Sequence, residues 1–174
     1  ILTCQMVVSS DAVVAIPAAS SLCSSGPQSM DAEVTGVTAL SDSTIELNLT
    51  LPEALGFLPG QYVNLGVPGT DQTRAYSFSS LPGETDVSFL IRNVPNGLMS
   101  TYLTSEAKPG DTMSVTGPIG SFYLRAVERP VLLLAGGTGL APLLSMLKQL
   151  KKEPTEHPVF LLYGVTGTAD LVKL

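Results

Sequence analysis

The sequence predicts a mixed architecture: an all-β sandwich or small barrel followed by a βαβ unit. Three observations predict it. Short runs between residues 32 and 117 carry strand patterning. Pro-Gly pairs (Pro59-Gly60, Pro68-Gly69, Pro82-Gly83, Pro109-Gly110) cut these runs apart. After Arg129-Pro130 the pattern changes to a continuous apolar run, a glycine turn and leucines at helical spacing.

Taken in order, residues 1–17 hold two apolar stretches, Ile1 to Val8 and Ala12 to Ile16, divided by Ser9-Ser10-Asp11. That reads as strand, turn, strand. Residues 18–29 are small and polar and include a Gly-Pro pair, the composition of a linker. Strands are expected over 32–40, 44–51, 61–67, 73–79, 86–92 and 111–117. In 44–51, Ile45, Leu47, Leu49 and Leu51 alternate with polar residues, the period of a strand with one buried face. One helix interrupts the strands at about 97–106 and carries Leu98, Tyr102 and Leu103. Val131 to Ala135 is uniformly apolar and predicts a strand buried on both faces. Leu140, Leu143, Leu144, Leu147 and Leu150 then fall on one helical face, with Pro142 tolerable in the first turn. Pro154 and Pro158 close the loop before a second apolar strand, Val159 to Tyr163. Such a crossover is parallel and right-handed.

Composition narrows the functions available. The chain has 174 residues, 44% hydrophobic and 14% charged, which favours a packed core over disorder. Its net charge of −6 and scattered basic residues argue against a nucleic-acid surface. Lys151-Lys152 is the one adjacent basic pair, and it falls where a helix should end and cations suit the dipole. No apolar run approaches the ~20 residues that span a bilayer, and the start lacks the basic region of a secretory signal. Two cysteines, Cys4 and Cys23, make no disulfide framework, so a cytoplasmic protein is expected, with no membrane or nucleic-acid partner. The chain begins at Ile1 and stops as a new helical pattern starts (Asp170, Leu171, Leu174), and it reads as an internal segment of a longer polypeptide.

Three motifs carry chemistry. In Arg74-Ala75-Tyr76-Ser77, Arg74 and Tyr76 share one face of a strand. A flavin dinucleotide needs a cation for its pyrophosphate, an aromatic wall for its ring and a donor near its N5, and this segment offers all three. Taken alone, the four residues more often describe an exposed strand with a solvated arginine and a packed tyrosine. The second motif, Ile91-Arg92-Asn93-Val94-Pro95-Asn96-Gly97-Leu98-Met99-Ser100, turns a strand into a helix whose free amides, with Ser100 in the first turn, can meet an anion. An ordinary turn capped by Asn96 fits the same residues. The third, Gly136-Gly137-Thr138-Gly139-Leu140-Ala141-Pro142, lets main chain approach a ligand at a helix start. It is not a P-loop, since Lys and Ser/Thr are absent after the last glycine, and Pro142 departs from Gly-x-Gly-x-x-Gly. His157 stands alone in a loop, and no cluster has zinc spacing.

The order of these pieces resembles the ferredoxin–NADP reductase superfamily. Arg-x-Tyr-Ser at 74–77, Gly97-x-x-Ser100 and Gly-Gly-Thr-Gly-x-Ala-Pro at 136–142 match its motifs in sequence. Gly117-Pro118-Ile119-Gly120-Ser121-Phe122 matches the signature between its flavin barrel and its nucleotide domain, and Pro59-Gly60-Gln61-Tyr62-Val63 an early barrel strand. Ile1-Leu2-Thr3-Cys4-Gln5 with Ser10-Asp11 to Ile16 looks like the end of a plant-type [2Fe–2S] ferredoxin domain, though a buried free cysteine also suits Cys4. Ferredoxin before flavin domain is similar to the reductase (electron transfer) components of the benzoate/anthranilate 1,2-dioxygenase type.

The resemblance implies an antiparallel Greek-key β-barrel, followed by the first part of an α/β parallel-sheet nucleotide domain and preceded by the tail of a β-grasp ferredoxin domain. Its boundaries would be 1–17 (ferredoxin tail), 18–29 (linker), 30–127 (flavin barrel) and 128–174 (truncated NAD domain). It implies FAD contacts at Arg74, Ala75, Tyr76, Ser77, Ile91, Arg92, Gly97, Met99 and Ser100, with Ser77 serving catalysis at N5. Thr138 would lie near the flavin ring, Gly136, Gly137 and Gly139 would belong to the nicotinamide side, and Cys4 would be a cluster ligand. Residues 164–170 lack an Arg or Lys for a 2′-phosphate, which favours NADH over NADPH. The implied activity is an NADH-dependent flavin oxidoreductase that passes electrons through FAD and a [2Fe–2S] centre to a terminal oxygenase. The alternative is a flavin-binding electron-transfer or regulatory subunit like that of dihydroorotate dehydrogenase complexes.

Overall fold

The computed structural model describes residues 26–173. The strands expected before residue 17, and both cysteines, lie outside the described residues. Between sandwich and barrel, the fold is a barrel. Its strands are β1 (Gln28–Ser41), β2 (Thr44–Thr50), β3 (Tyr62–Gly66), β4 (Thr73–Ser77), β5 (Asp86–Arg92) and β6 (Thr112–Ile119). They pair antiparallel in the order β4-β3-β6-β1-β2-β5. The two outer strands meet at their ends through a bridge between Phe78 and Phe89 and a hydrogen bond from Ser79 N to Ser88 O at 2.8 Å. The β2–β3 and β5–β6 connections skip over intervening strands, as in a Greek key.

The alternation in β2 builds the interior. Ile45, Leu47 and Leu49 are at most 2% exposed, and their register partners on β5 are Ile91, Phe89 and Val87. These opposed apolar pairs are the unit of sheet stability. Phe78 closes the seam from inside, stacked on Phe57 at 3.8 Å and tilted against Phe89 at 5.3 Å. The helix in the β5–β6 connection, α1 (Leu98–Ser105), adds Met99, Tyr102 and Leu103 to the same core. β1 starts earlier than expected: Gln28 and Ser29, assigned to the linker by composition, pair with Gly117 and Thr116. Main-chain pairing to β6 is indifferent to their polar side chains.

The second unit runs β7 (Val131–Gly136), a 3-10 turn at Gly137–Gly139, α2 (Leu140–Lys152) and β8 (Val159–Gly164). β7 and β8 are parallel and in register from Val131↔Val159 to Gly136↔Gly164. α2 covers one face, where Leu133 packs with Leu143 and Met146. The expectation that β7 is buried on both faces is corrected. Leu132, Leu134, Phe160 and Leu162 are 59–65% exposed on the opposite face, because α2 covers one side of this strand pair and the other side meets nothing among the described residues. No described helix is long and apolar enough to cross a membrane.

The units pack directly on each other. Leu40 and Leu90 of the barrel cluster with Leu140, Ala141 and Leu144 of α2 and with Ala135 and Tyr163. Lys148 Nζ donates to Ser79 O at 2.8 Å, and Lys173 pairs with Glu46 at 2.7 Å. Gly60, at φ +110°, lets the Pro59-Gly60 turn sit against α2. A Cβ there would lie 2.5 Å from Met146 Cε and 2.7 Å from Phe122 O.

Candidate functional site

A cleft of about 420 Å³ opens between the two units. Ser43, Thr44 and Arg92 form its barrel wall, and Gly136, Gly137 and Thr138 face them from the end of β7. Gly164 to Thr166 and Asp170 complete it beyond the end of β8. Ligands of parallel α/β units collect outside the carboxyl ends of the strands, and this cleft lies at both of them.

The glycine wall is bare main chain. A Cβ added at Gly136, Gly137 or Gly139 would meet no atom within 4 Å, and Gly137 adopts φ +51°. Gly139 is the N-cap of α2, with no side-chain cap bond and no acidic residue in the first turn, so the positive end of the helix is uncompensated there. Opposite stands Arg92, exposed at the end of β5. Asp170 accepts hydrogen bonds from the hydroxyls of Ser43 and Ser41. The Ser43 bond, then the Ser41 bond, hold its carboxyl below the usual carboxylate range, with the Arg92 charge adding a smaller contribution. The segment 164–170 brings no cation, as its sequence indicates; Arg92 brings one from the barrel.

The other motif residues lie along the seam where β4 meets β5. The antiparallel register set by Phe78↔Phe89 carries Ser77 and Tyr76 alongside Leu90 and Ile91, so the β4 motif and the β5–α1 turn occupy one end of the barrel. Arg74 is exposed and donates to Thr73 O at 2.8 Å and Gln72 Oε1 at 2.9 Å. Its planar fork has five donors, so both bonds are compatible with an added anion. Ala75 beside it is exposed, and Tyr76 is half-buried. Burial pushes the Tyr76 phenol up, against the smaller opposing effect of Arg74. Ser77 is half-buried next to the seam.

The β5–α1 turn differs in detail from its sequence reading. Gly97, not Asn96, is the N-cap, and Asn96 takes φ +57°. Ser100 is 5% exposed; its Oγ accepts from Val94 N at 2.9 Å and donates to Arg92 O at 3.2 Å. That hydroxyl shapes the turn, which leaves the main-chain amides of α1 as the groups able to meet an anion. The side chains of Ile91 and Met99 lie in the barrel core, so any ligand contact from either runs through main chain.

Sequence reasoning had no local signal for Ser43 and Thr44, which reach the cleft through β1–β2 hairpin packing. Gly164 to Thr166 and Asp170 could have been found from their place after a parallel strand. Cys4 lies outside the described residues, and among those described no group of three or more His, Cys, Asp or Glu could hold a metal.

The residues present fit a dinucleotide: a guanidinium with spare donors, helix amides without a side-chain cap, and a glycine wall with open space before it. If Arg74 grips a pyrophosphate, Arg74→Ala should weaken FAD retention by about ten- to a hundredfold, the loss of one charge-assisted contact. The flavin-to-protein absorbance ratio after gel filtration checks this, and an unchanged ratio removes the role.

A closed antiparallel barrel thus packs across a cleft against a parallel unit with a glycine turn. The chain belongs to the oxidoreductase FAD-binding domain family, whose model matches residues 31–123, and the oxidoreductase NAD-binding domain model matches residues 133–173. It is 55% identical to the toluate 1,2-dioxygenase electron transfer component of Pseudomonas putida, over 100% of this chain and 52% of that protein. It is 48% identical to the 2-halobenzoate 1,2-dioxygenase electron transfer component of Burkholderia cepacia, over 86% of this chain and 45% of that one. A solved ferredoxin reductase in carbazole 1,9a-dioxygenase superposes with a TM-score of 0.79 at 29% identity, covering 87% of this chain and 47% of that structure. The chain thus spans about half the length of the curated relatives it matches.

Proposed function

We propose that this chain is the flavin- and nucleotide-handling part of an NADH-dependent reductase that feeds electrons to a ring-hydroxylating oxygenase. One observation carries the reading. β5 links the three motifs: Phe89 bridges to Phe78 directly after the Arg74–Ser77 strand, Arg92 at its end lines the glycine-walled cleft, and Ser100 Oγ in the first turn of α1 donates to Arg92 O.

In this reading Arg74 and the free main-chain amides of the first turn of α1, from Leu98 to Ser100, hold the pyrophosphate of FAD, and Tyr76 walls its ring. The chemistry supplied by FAD held there would be acceptance of a hydride from NADH and release of single electrons. The chain's own residues bind and orient. Gly136, Gly137 and Gly139 let the nucleotide approach main chain, Thr138 borders the reacting ring, and Arg92 offers a cation across the cleft. Ser77 presents its hydroxyl at flavin N5. Ser77→Ala should slow NADH-driven flavin reduction in the longer parent protein by about tenfold, the scale of one neutral hydrogen bond. Stopped-flow rates equal to wild type would remove that role.

The relatives, electron transfer components of dioxygenases, support a terminal oxygenase as partner; a [2Fe–2S] centre with Cys4 among its ligands and a cytoplasmic setting complete the proposal. A linker from residue 18, shortened by the start of β1 at Gln28, a flavin barrel ending near residue 127 and a nucleotide unit from 128 onward belong to the same proposal. The exposed apolar row on β7 and β8 supports a nucleotide sheet larger than two strands. The deciding experiment is an NADH–cytochrome c assay on the FAD-loaded parent. Electron transfer with NADH supports the reading; a colourless, inactive protein after FAD reconstitution overturns it.

A further inference from the structure

We propose that Asp170 is a positioning residue whose carboxylate, clasped by Ser41 and Ser43, fastens the nucleotide-side wall of the cleft to the barrel and sets the cleft's width. The proposal rests on reading the cleft as the dinucleotide site.

Both halves of the clasp are rigid. Asp170 ends a 3-10 turn whose amides are satisfied locally: Asp170 N donates to Gly167 O at 3.0 Å and Leu171 N to Thr168 O at 3.2 Å. Tyr163 Oη donates to Asp170 O at 3.2 Å, which ties the turn back to β8. On the barrel side, Ser41 ends β1 and Ser43 lies in the β1–β2 turn, where Ser43 N donates to Ser41 Oγ at 3.3 Å. Ser43 O accepts from Asn93 N at 2.8 Å, directly after Arg92. A short path of bonds thus runs from Asp170 through Ser43 to the backbone that carries the cleft's cation.

The other contacts between the units set direction less sharply. The apolar cluster around Leu90 and Leu140 is non-directional, and such surfaces slide. Lys148 reaches Ser79 O on a long flexible stem, and the Lys173–Glu46 pair is partly exposed, where ion pairs contribute little. Asp170 has a short side chain, and its Oδ1 is held by two hydroxyls. It lines the cleft and bonds to the opposite wall at once.

Two measurements test this. On this chain, amide hydrogen exchange at Asn93, Asp170 and Leu171 should rise about tenfold in Asp170→Ala, and equally in the Ser41→Ala/Ser43→Ala pair. The triple variant should exchange no faster than Asp170→Ala, since all three remove one interaction. Asp170→Asn keeps an acceptor oxygen and should fall between. On the FAD-loaded parent, Asp170→Ala should raise KM for NADH about tenfold with kcat within about twofold, because closing a loosened cleft costs binding. Unchanged exchange, or additive effects, overturns the clasp. Raised exchange with unchanged KM overturns its part in the cleft. A wild-type parent that neither binds nor oxidises NADH overturns the dinucleotide reading instead, and with it the part in the cleft, while the exchange data still decide the clasp.

Discussion

Gly137→Val should weaken NADH binding to the FAD-loaded parent protein by tenfold or more, with little change in the barrel's stability. Two costs combine. Gly137 sits at φ +51°, where a residue with a Cβ is disfavoured by roughly 1–2 kcal/mol and a β-branched one by more. The new side chain would also enter the open side of the glycine wall, where a Cβ meets nothing within 4 Å. Space empty of protein beside an uncompensated helix start is the space a phosphate or nicotinamide would need. Initial-rate KM values and nucleotide titrations measure the effect, and a urea transition of the barrel provides the control. An unchanged dissociation constant would show that the dinucleotide does not lie against this wall.

Phe78→Ala should cost about 3–5 kcal/mol, the usual range for truncating a fully buried aromatic residue. Phe78 is 0% exposed, and its ring touches both Phe57 and Phe89. Its main chain also stands at the closure, opposite Phe89 in the bridge whose bond runs from Ser79 N to Ser88 O at 2.8 Å, and Phe78 N donates to Gln61 O at 3.2 Å. The urea midpoint should fall with little change in slope. A loss smaller than about 1 kcal/mol would mean that the core collapses into the space, which the stacked geometry argues against. Because Ser77 is the preceding residue, the same substitution should also loosen flavin binding.

Much of the fold was legible because its periods are plain. The alternation from Ile45 to Leu49 placed β2 and its buried face, and the Pro-Gly turns separated the strands. Leucines at helical spacing placed α2, whose run from Leu140 to Lys152 ends on the basic pair. What escaped was tertiary. Uniform apolarity in Val131 to Ala135 carries no face information, and the exposure of Leu132 and Leu134 depends on which neighbours are present. Gln28 and Ser29 look like linker because main-chain pairing leaves no mark on side-chain choice.

The site was legible where glycine or proline marks a backbone need, and obscure where packing brings ordinary residues together. The glycine turn announced itself. Ser43, Thr44 and Asp170 did not, since a serine in a hairpin turn and an aspartate in a 3-10 turn are common solvated choices. Arg92 stands in the flavin motif by its sequence neighbours, and the fold also brings it to the cleft lined by Gly136, Gly137 and Thr138. Ile91 and Met99 stand in the same motif, yet their side chains fill the barrel.

The bonds from Ser41 and Ser43 to Asp170 join residues 129 and 127 positions apart. On the ribosome, the hairpin end emerges long before its acceptor is translated. A nascent chain can therefore close its barrel while the groove beside it is still unformed.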